Sequence, residues 1–396
     1  MLNSRLDRLT DYPFQRLNAL LTEPPGEAPV NMTIGEPQDL PPAFVAEILS
    51  SEAAGWGKYP PMTGSVALRE AIAQWLTRRF GLGAASIDAE RHVLALAGSR
   101  DGLYQVAFLA GAEDHRRPVA LLPNPFYQVY AGAALLAGLE PVFVPAVPET
   151  GFLPDFAGLP AEILARARLA YLCNPANPQG AVAPAAYLGD LVALARHYDF
   201  ILAVDECYAE IYDGEPPPGA LAVSETDGFD KVLVFHSLSK RSSAPGLRSG
   251  FVAGDARLIS AFSRMRAYGG AAIPLPIQAA SAALWRDEAH VEASRARYRA
   301  KFDAAQSILG RHPGFRRPAG GFFLWLPVGD GEAAAKRLWR EAGIRVLPGA
   351  YLARAGQDGV NPGEAYLRVA LVHDLDITTT ALTRLARVLT AEGVPS

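Results

Sequence analysis

The chain has 396 residues, of which 50% are hydrophobic and 20% are charged, a composition typical of a globular protein with room for more than one core. Its formal net charge is −4, and no Lys/Arg-rich run occurs. Binding to a phosphate backbone needs a basic patch, so nucleic acid is not an expected partner.

The N-terminal segment MLNSRLDRLTDYPFQRL mixes charged and apolar residues and lacks the continuous apolar core of a signal peptide. No later segment is apolar over the length of a membrane span. We therefore expect a cytoplasmic protein with no membrane partner. The only cysteines, Cys173 and Cys207, are far apart and have no CxxC or His companion, so neither a disulfide framework nor a metal site is predicted.

Short apolar runs rich in β-branched residues alternate with segments of helical period in the first three quarters of the chain. This alternation predicts an α/β fold with a mostly parallel, seven-stranded sheet covered by helices. The predicted strands are 92–97, 118–122, 141–144, 169–173, 200–204, 232–236 and 250–254, and the clearest helices are 66–80, 185–199 and 256–267.

The pattern changes after residue 288, where a long charged helical segment precedes the strand-like runs FFLWLPV and YLRVALV. A helix followed by strands suits a smaller α+β domain. We predict a large domain over residues 51–288 and a small C-terminal domain over 289–396. Residues 1–50 should form an N-terminal arm and part of the small domain.

Ligands of open α/β sheets bind beyond the carboxyl ends of the strands, where several polar residues of this chain fall. Lys240 follows the strand VLVFH inside a loop rich in Ser, Gly and Pro, and Arg248 lies eight residues further on. Serine hydroxyls, amides and an arginine suit a phosphate, and a lysine shielded from water beside it can act as an amine nucleophile. A solvated loop lysine is the commoner alternative.

Three further strand ends carry polar residues. Asp205 follows FILAV and could cap a helix, bind a metal or pair with a protonated pyridine nitrogen, but no second acidic cluster supports a metal. Asn177 stands in the turn NPANPQG, whose composition needs no function. Gly98 and Ser99 open a helix whose free amides could bind phosphate, although a simple helix cap explains them equally well.

These motifs, in their order along nearly the whole chain, resemble the fold type I, class I/II aminotransferases. The resemblance rests on TIGEPQ, KYPPMTGSVALREAI, GSRDG, NPFYQVY, NPANPQG, VDECYAEIY, SLSKRSSAPGLRSG and YLRVALV. It implies a fold type I transferase whose cofactor is pyridoxal 5′-phosphate, and it implies the site residues that follow.

The resemblance implies that Lys240 is the Schiff-base lysine and moves the proton of the reaction. Asp205 corresponds to the partner of the pyridine nitrogen. Asn177 and Tyr208 correspond to the pair that hydrogen-bonds the phenolic oxygen of the cofactor, and Tyr127 to the aromatic ring stacked on the pyridine.

For the cofactor phosphate, the resemblance implies a site formed by the helix start at Gly98, Ser99 and Arg100 together with Ser237 and Arg248. Tyr59, in KYPPMTG, corresponds to a tyrosine that reaches the phosphate of the neighbouring subunit. The implied assembly is a homodimer with shared active sites.

For the substrate, the resemblance implies that Arg368 grips the α-carboxylate in bidentate fashion, beside Asn177 and beside Gly35 on a mobile N-terminal segment. The blocks YPFQRLNALL and PGLRSGFVAGD, with Arg241 after the lysine, resemble most the succinyldiaminopimelate aminotransferases of bacterial lysine synthesis. These move an amino group from glutamate to N-succinyl-2-amino-6-oxopimelate. The partner of the distal carboxylate stays open between four arginines, namely Arg16, Arg100, Arg266 and Arg317.

Other functions fit the same fold and lysine. They include aspartate, aromatic and glutamine or kynurenine aminotransferases and cysteine-conjugate β-lyases, which differ in the side-chain pocket. A cofactor-binding regulatory module is disfavoured because no helix-turn-helix precedes the fold. A nicotinamide-binding protein is disfavoured because no GxGxxG follows the first strand.

Overall fold

The computed structural model describes residues 2–111, 118–356 and 358–390. The strands in these residues are β1 (Val30–Asn31), β2 (Val93–Leu96), β3 (Val119–Asn124), β4 (Glu140–Pro145), β5 (Ala167–Cys173), β6 (Ile201–Asp205), β7 (Val232–Ser237), β8 (Gly250–Gly254), β9 (Phe323–Pro327), β10 (Ile344–Arg345), β11 (Leu347–Pro348) and β12 (Tyr366–Ala370).

The α-helices in the same residues are α1 (Pro13–Leu20), α2 (Phe44–Ser51), α3 (Val66–Phe80), α4 (Ser99–Ala110), α5 (Gln128–Ala137), α6 (Ala161–Leu164), α7 (Ala185–Tyr198), α8 (Ala220–Ser224), α9 (Leu238–Arg241), α10 (Ala256–Gly269), α11 (Leu275–Arg286), α12 (Ala289–Leu309), α13 (Gly331–Ala342) and α14 (Leu375–Thr390). None of them is long and apolar enough to cross a membrane.

The main sheet has seven strands in the order β2-β8-β7-β6-β5-β3-β4. Every neighbouring pair is parallel except the two pairs that β8 makes with β2 and β7. Each of the seven predicted strands is present, with its ends shifted by at most two residues, so the predicted fold class is confirmed.

Both faces of this sheet are covered by helices because its strands are apolar on both sides. Successive residues of β3 alternate between two cores: Val119 and Leu121 pack with α3, α7 and α11, whereas Ala120 and Leu122 pack with α4, α5 and α10. Every residue of β2, β3, β6, β7 and β8 is buried.

The carboxyl ends of the parallel strands meet at one edge of the sheet, and β8 begins at the same edge because it runs in the opposite direction. Asp205 ends β6, and Ser237 ends β7 and leads into α9. Arg248 comes two residues before β8. The edge therefore collects residues that are distant in sequence.

A further core is formed mostly by the last quarter of the chain. It packs α12, α13 and α14 against the antiparallel strands β9 and β12, and it also includes Met32, Cys173, Tyr208 and Ile211 from earlier in the chain. The predicted boundary at residue 288 falls in the corner between α11 and α12. The division into domains itself stays a prediction.

Candidate active site

A cavity of about 370 Å³ opens at this edge of the sheet. It is lined by almost all of the residues predicted from the sequence, namely Gly35, Ser99, Arg100, Tyr127, Asn177, Asp205, Tyr208, Ser237, Lys240, Arg248 and Arg368. Two predicted residues do not line it. Gly98 directly precedes the lining residue Ser99, whereas Tyr59 is fully exposed.

Lys240 lies on the single turn of α9 and points into the cavity. Its Nζ donates a hydrogen bond to the carbonyl oxygen of Gly35 and lies 5.5 Å from the centre of the Phe322 ring. Burial lowers the pKa of Lys240 below its ordinary value. The lysine is therefore an amine that loses its proton more easily than a solvated one.

Gly35 brings its carbonyl over Lys240 because it has no side chain. A Cβ atom at this position would lie 2.6 Å from Cζ of Phe323, closer than real Cβ contacts allow. The close approach of the N-terminal segment to β9 thus favours glycine at this position.

Asp205 is 4% exposed at the end of β6 and is fixed through both carboxylate oxygens. Oδ2 accepts a hydrogen bond of 2.7 Å from the hydroxyl of Tyr130, and Oδ1 accepts one of 3.2 Å from the amide of Cys207. Burial raises the pKa of Asp205, and these hydrogen bonds lower it. Both donors are neutral, so they leave the negative charge of this buried carboxylate unpaired. Asp205 therefore favours a cationic partner in the cavity.

Donors suited to an anion line the same cavity. They are the start of α4 at Ser99, the hydroxyl of Ser237 and the guanidinium of Arg248. A Cβ atom on Gly98 would lie 2.5 Å from Nη2 of Arg248, so glycine leaves room for this arginine. Among the described residues, no carboxylate pairs with Arg248, whose bonds go to the carbonyls of Ala97 and Pro245.

Arg368, on β12, brings a second guanidinium to the cavity. Its guanidinium donates to the carbonyl of Thr33 at 2.7 Å and to Oδ1 of Asn177 at 3.2 Å, and it lies over the ring of Phe323. Burial lowers the pKa of Arg368 to about 10. It has no carboxylate partner within the described part of the chain, so the buried cation can accept one from a ligand.

Arg100 differs from the other three candidates for the distal carboxylate. Its guanidinium donates to the hydroxyls of Tyr127, at 2.8 Å, and Tyr12, at 2.7 Å, and no acidic partner occurs in the described residues. The other arginine candidates have acidic partners: Arg16 with Glu332, Arg266 with Asp101, and Arg317 with Asp213 and Asp303.

Two residues of the site were missed from the sequence. Tyr12 reaches the cavity from the N-terminal arm, and although it begins the block YPFQRLNALL, no role in the site was predicted for it. Tyr130 lies behind Asp205, and the one available signal was its spacing of three residues from Tyr127 at the start of a helix, which brings both to one side.

The family of the chain follows from comparison with known proteins. A profile of the family described as aminotransferase class I and II matches residues 27–385. The chain belongs to this family. The LL-diaminopimelate aminotransferase of Desulforudis audaxviator (strain MP104C) is 33% identical to it over 393 residues, which cover 96% of each chain.

Solved structures agree. An aminotransferase from Neisseria meningitidis Z2491 is 40% identical, with a TM-score of 0.93 and coverage of 98% of this chain and 99% of that one. Aminotransferase AspB from Helicobacter pylori 26695 is 37% identical, with a TM-score of 0.88 and coverage of 96% and 98%. The predicted aminotransferase activity is confirmed, whereas no relative named here carries the succinylated substrate in its name.

Class I and II aminotransferases depend on pyridoxal 5′-phosphate, and so does this enzyme. The cavity fits that molecule on three counts. It offers an amine at Lys240, a buried carboxylate at Asp205 for a protonated ring nitrogen, and a set of amide, hydroxyl and guanidinium donors for a phosphate, with Gly98 leaving the space they need.

Proposed function

We propose that this enzyme moves an amino group from glutamate to N-succinyl-2-amino-6-oxopimelate, as a succinyldiaminopimelate aminotransferase of lysine and diaminopimelate biosynthesis. The observation that carries the aminotransferase chemistry is the meeting of Lys240, Asp205 and Arg368 in one cavity. An amine, an acid and a buried arginine are what a reaction at the Cα of an amino acid requires.

The chain's own groups divide the work. When bound, pyridoxal 5′-phosphate supplies an aldehyde for the amino group and a ring that takes up the electron pair released at the substrate Cα. Arg368 holds the α-carboxylate and so orients the Cα–H bond. Lys240 Nζ removes the Cα proton, and burial, which lowers the pKa of Lys240, favours the neutral amine that this step needs. Asp205 keeps the ring nitrogen protonated.

Other residues of the cavity hold the cofactor in this proposal. Ser99, Ser237 and Arg248 would bind the phosphate, and Asn177 and Tyr208 would donate to the phenolic oxygen. Tyr127 would be the aromatic neighbour of the ring, and its hydroxyl accepts a hydrogen bond from Arg100. Gly35 and Asn177 border the bound substrate beside Arg368.

We assign the distal carboxylate of the substrate to Arg100. Its guanidinium faces the cavity and is bonded only to neutral phenols, so a carboxylate can join it without breaking an ion pair. Arg354 adds positive charge nearby, since the pocket that it lines shares Tyr12 and Gln128 with the cavity. Arg354 also has no carboxylate partner in the described residues.

Free diaminopimelate is the second candidate substrate, because the relative from Desulforudis audaxviator that is 33% identical to this chain is an LL-diaminopimelate aminotransferase. The two substrates differ at the far end. The succinylated one carries an extra carboxylate and lacks the distal ammonium group. Arg100 lines the cavity and Arg354 lines the neighbouring pocket, and neither has an acidic partner among the described residues, which favours the more anionic substrate.

The deciding experiment measures initial rates of the holoenzyme in both directions. We expect kcat/KM for glutamate with N-succinyl-2-amino-6-oxopimelate to exceed that for LL-diaminopimelate with 2-oxoglutarate by about 100-fold. The reverse ranking would move the assignment to the free amino acid. Release of pyruvate and ammonia from a cysteine conjugate, without keto-acid-dependent turnover, would instead indicate a β-lyase.

Two variants test the residues. Lys240→Ala should lack the visible absorbance band of bound cofactor and lose turnover. Arg100→Met should lower kcat/KM for the succinylated acceptor by about tenfold, which corresponds to about 1.4 kcal/mol. Arg16→Met is the matched control, because Arg16 already pairs with Glu332 and should leave this value unchanged.

A further inference from the structure

We propose that Arg241 is a positioning residue for Lys240. Its hydrogen bonds join α9, which carries both residues, to the end of α11 and so hold Lys240 in place. The inference rests on the proposed role of Lys240. Arg241 was singled out by the sequence because it follows the lysine, yet it does not line the cavity. Its position needs a separate explanation.

The side chains of Lys240 and Arg241 leave α9 in different directions. Lys240 faces the cavity, whereas Arg241 is 2% exposed and packs into the core. Its guanidinium lies 5.5 Å from the ring centre of Trp75 and 5.0 Å from that of Trp285. Two indole rings in contact with each other therefore form the surface against which the arginine is held.

The hydrogen bonds of Arg241 all go to the end of α11 and the corner that follows. Nη1 donates to the carbonyl of Leu284 at 2.6 Å, and Nη2 donates to the carbonyl of Asp287 at 3.2 Å and to Glu288 at 2.7 Å. The last carbonyls of a helix lack partners within the helix, and a guanidinium can bind two of them in a fixed geometry. The contact is thus directional as well as buried.

A second contact joins the same two segments. The hydroxyl of Ser242 lies 2.8 Å from Nε2 of His290, whose Nδ1 is bonded to Asp287. Both residues that follow Lys240 are therefore fixed to the corner formed by residues 287–290. Because α9 is a single turn, its backbone has little rigidity of its own, and these contacts determine where Lys240 Nζ lies.

This corner is also where α12 begins, and α12 carries the C-terminal core. With Arg241 in place, Lys240 keeps a fixed position relative to α11 and the main sheet. Loss of the three hydrogen bonds of Arg241 would let α9 shift, together with Lys240. A shift of about 1 Å in a reacting group can cost about 100-fold in rate.

The test compares three holoenzyme variants with the wild type. Arg241→Met removes the charge and the hydrogen bonds, and Arg241→Lys keeps the charge against the indoles but cannot reach both carbonyls. The control, Arg196→Met, removes a partly buried arginine bonded to Asp227 and Asp230, outside the cavity. Each protein is examined by melting temperature, by pH titration of the visible absorbance band, and by the rate of the half-reaction with glutamate.

We expect Arg241→Met to shift the midpoint of the absorbance titration by about half a pH unit or more and to lower kcat between about tenfold and 100-fold, with KM for glutamate within about twofold. Arg241→Lys should lie between this variant and the wild type. Arg196→Met should lower the melting temperature alone.

A merely structural arginine would behave as the control does. If Arg241→Met lowers the melting temperature while its titration midpoint and kcat stay those of the wild type, the inference is wrong. If Arg241→Met does not fold, the same two readouts on Arg241→Lys decide. The Lys240→Ala variant distinguishes a failure of this inference from a failure of the proposed function. If Lys240→Ala keeps the absorbance band and the activity, the proposed function itself is wrong.

Discussion

Tyr130 does not line the cavity, but it hydrogen-bonds the carboxylate of Asp205. Its hydroxyl donates to Oδ2 at 2.7 Å, and its ring stacks on Tyr171 with a centroid distance of 4.5 Å. Burial raises the pKa of Tyr130 well above its ordinary value, so the phenol stays protonated and remains a donor. The bond stabilises the charged form of Asp205 against the effect of burial.

Tyr130→Phe should therefore raise the pKa of Asp205 and weaken its hold on the cofactor ring. We expect the dissociation constant of the cofactor to rise about tenfold, which corresponds to the loss of one charged hydrogen bond. Equilibrium dialysis followed by the visible absorbance measures it. Tyr171→Phe is the control, because it removes a hydroxyl of the same stack that donates to the carbonyl of Leu103 instead. Equal affinities of the two variants would contradict the assignment.

Lys240 gives the cofactor-free protein a pH-dependent stability. Its pKa in the folded state is lowered by burial, so over the window between that pKa and the ordinary lysine value the unfolded chain binds more protons. Stability should therefore rise with pH through this window. Urea unfolding of the cofactor-free proteins measures this. The free energy of unfolding of the wild type, relative to that of Lys240→Met, should increase as pH rises. Parallel curves would contradict the lowered pKa.

At the residue scale, the sequence was sufficient where function sits directly on a strand end. Asp205 and Lys240 were placed at this edge in this way, because parallel strands bring their carboxyl ends together. Tyr12 and Arg100 show the limit. Their contact joins the N-terminal arm to α4 across 88 positions of sequence, and no local pattern encodes which phenol an arginine will meet.

At the element scale, the seven strands of the main sheet were predictable because their apolar runs are continuous and bounded by turn residues. The two-residue strands β1, β10 and β11 were not. A strand of two residues has no periodicity, and it exists because its partner is nearby: β1 pairs with β10, more than 300 residues away. Such elements follow from tertiary packing, which a single sequence does not display.

The segment from Thr33 to Asp39 is one element whose position matters for activity. It supplies the carbonyls of Thr33 and Gly35 to Arg368 and Lys240, and it ends at a carboxylate bound to α12. Asp39 lies 3.2 Å from Nε of Arg297 and 3.9 Å from Nζ of Lys301.

Asp39→Asn should release this segment and leave the buried Lys301 without its carboxylate. We expect the free energy of unfolding to fall by about 1–2 kcal/mol and KM for glutamate to rise several-fold, with a smaller change in kcat. Urea unfolding and initial rates measure the two effects. Asp213→Asn is the matched control, since Asp213 is similarly exposed and pairs with Arg317 away from the segment. An unchanged KM in Asp39→Asn would exclude the positioning role.

At the scale of the whole molecule, one predicted cofactor residue stands apart from the cavity of its own chain. Tyr59 has its whole side chain exposed, and Trp56 and Tyr268 are other large aromatic residues with more than half of their surface exposed. Exposed aromatic side chains are common in protein interfaces. We propose that they contact a second copy of the chain, with Tyr59 of one subunit reaching the phosphate site of the other.

This homodimer makes a prediction with two readouts. Sedimentation velocity should give twice the mass of the chain, and Tyr59→Phe, which removes only the hydroxyl, should raise the dissociation constant of the cofactor about fivefold while leaving the mass unchanged. Tyr268→Phe is the control, because it removes another exposed phenol that the shared site does not need. If Tyr59→Phe is a dimer and binds the cofactor as tightly as the wild type, the predicted homodimer stands but the shared phosphate site is wrong. A monomer that binds the cofactor tightly would show that one chain completes the phosphate site with Ser99, Ser237 and Arg248 alone.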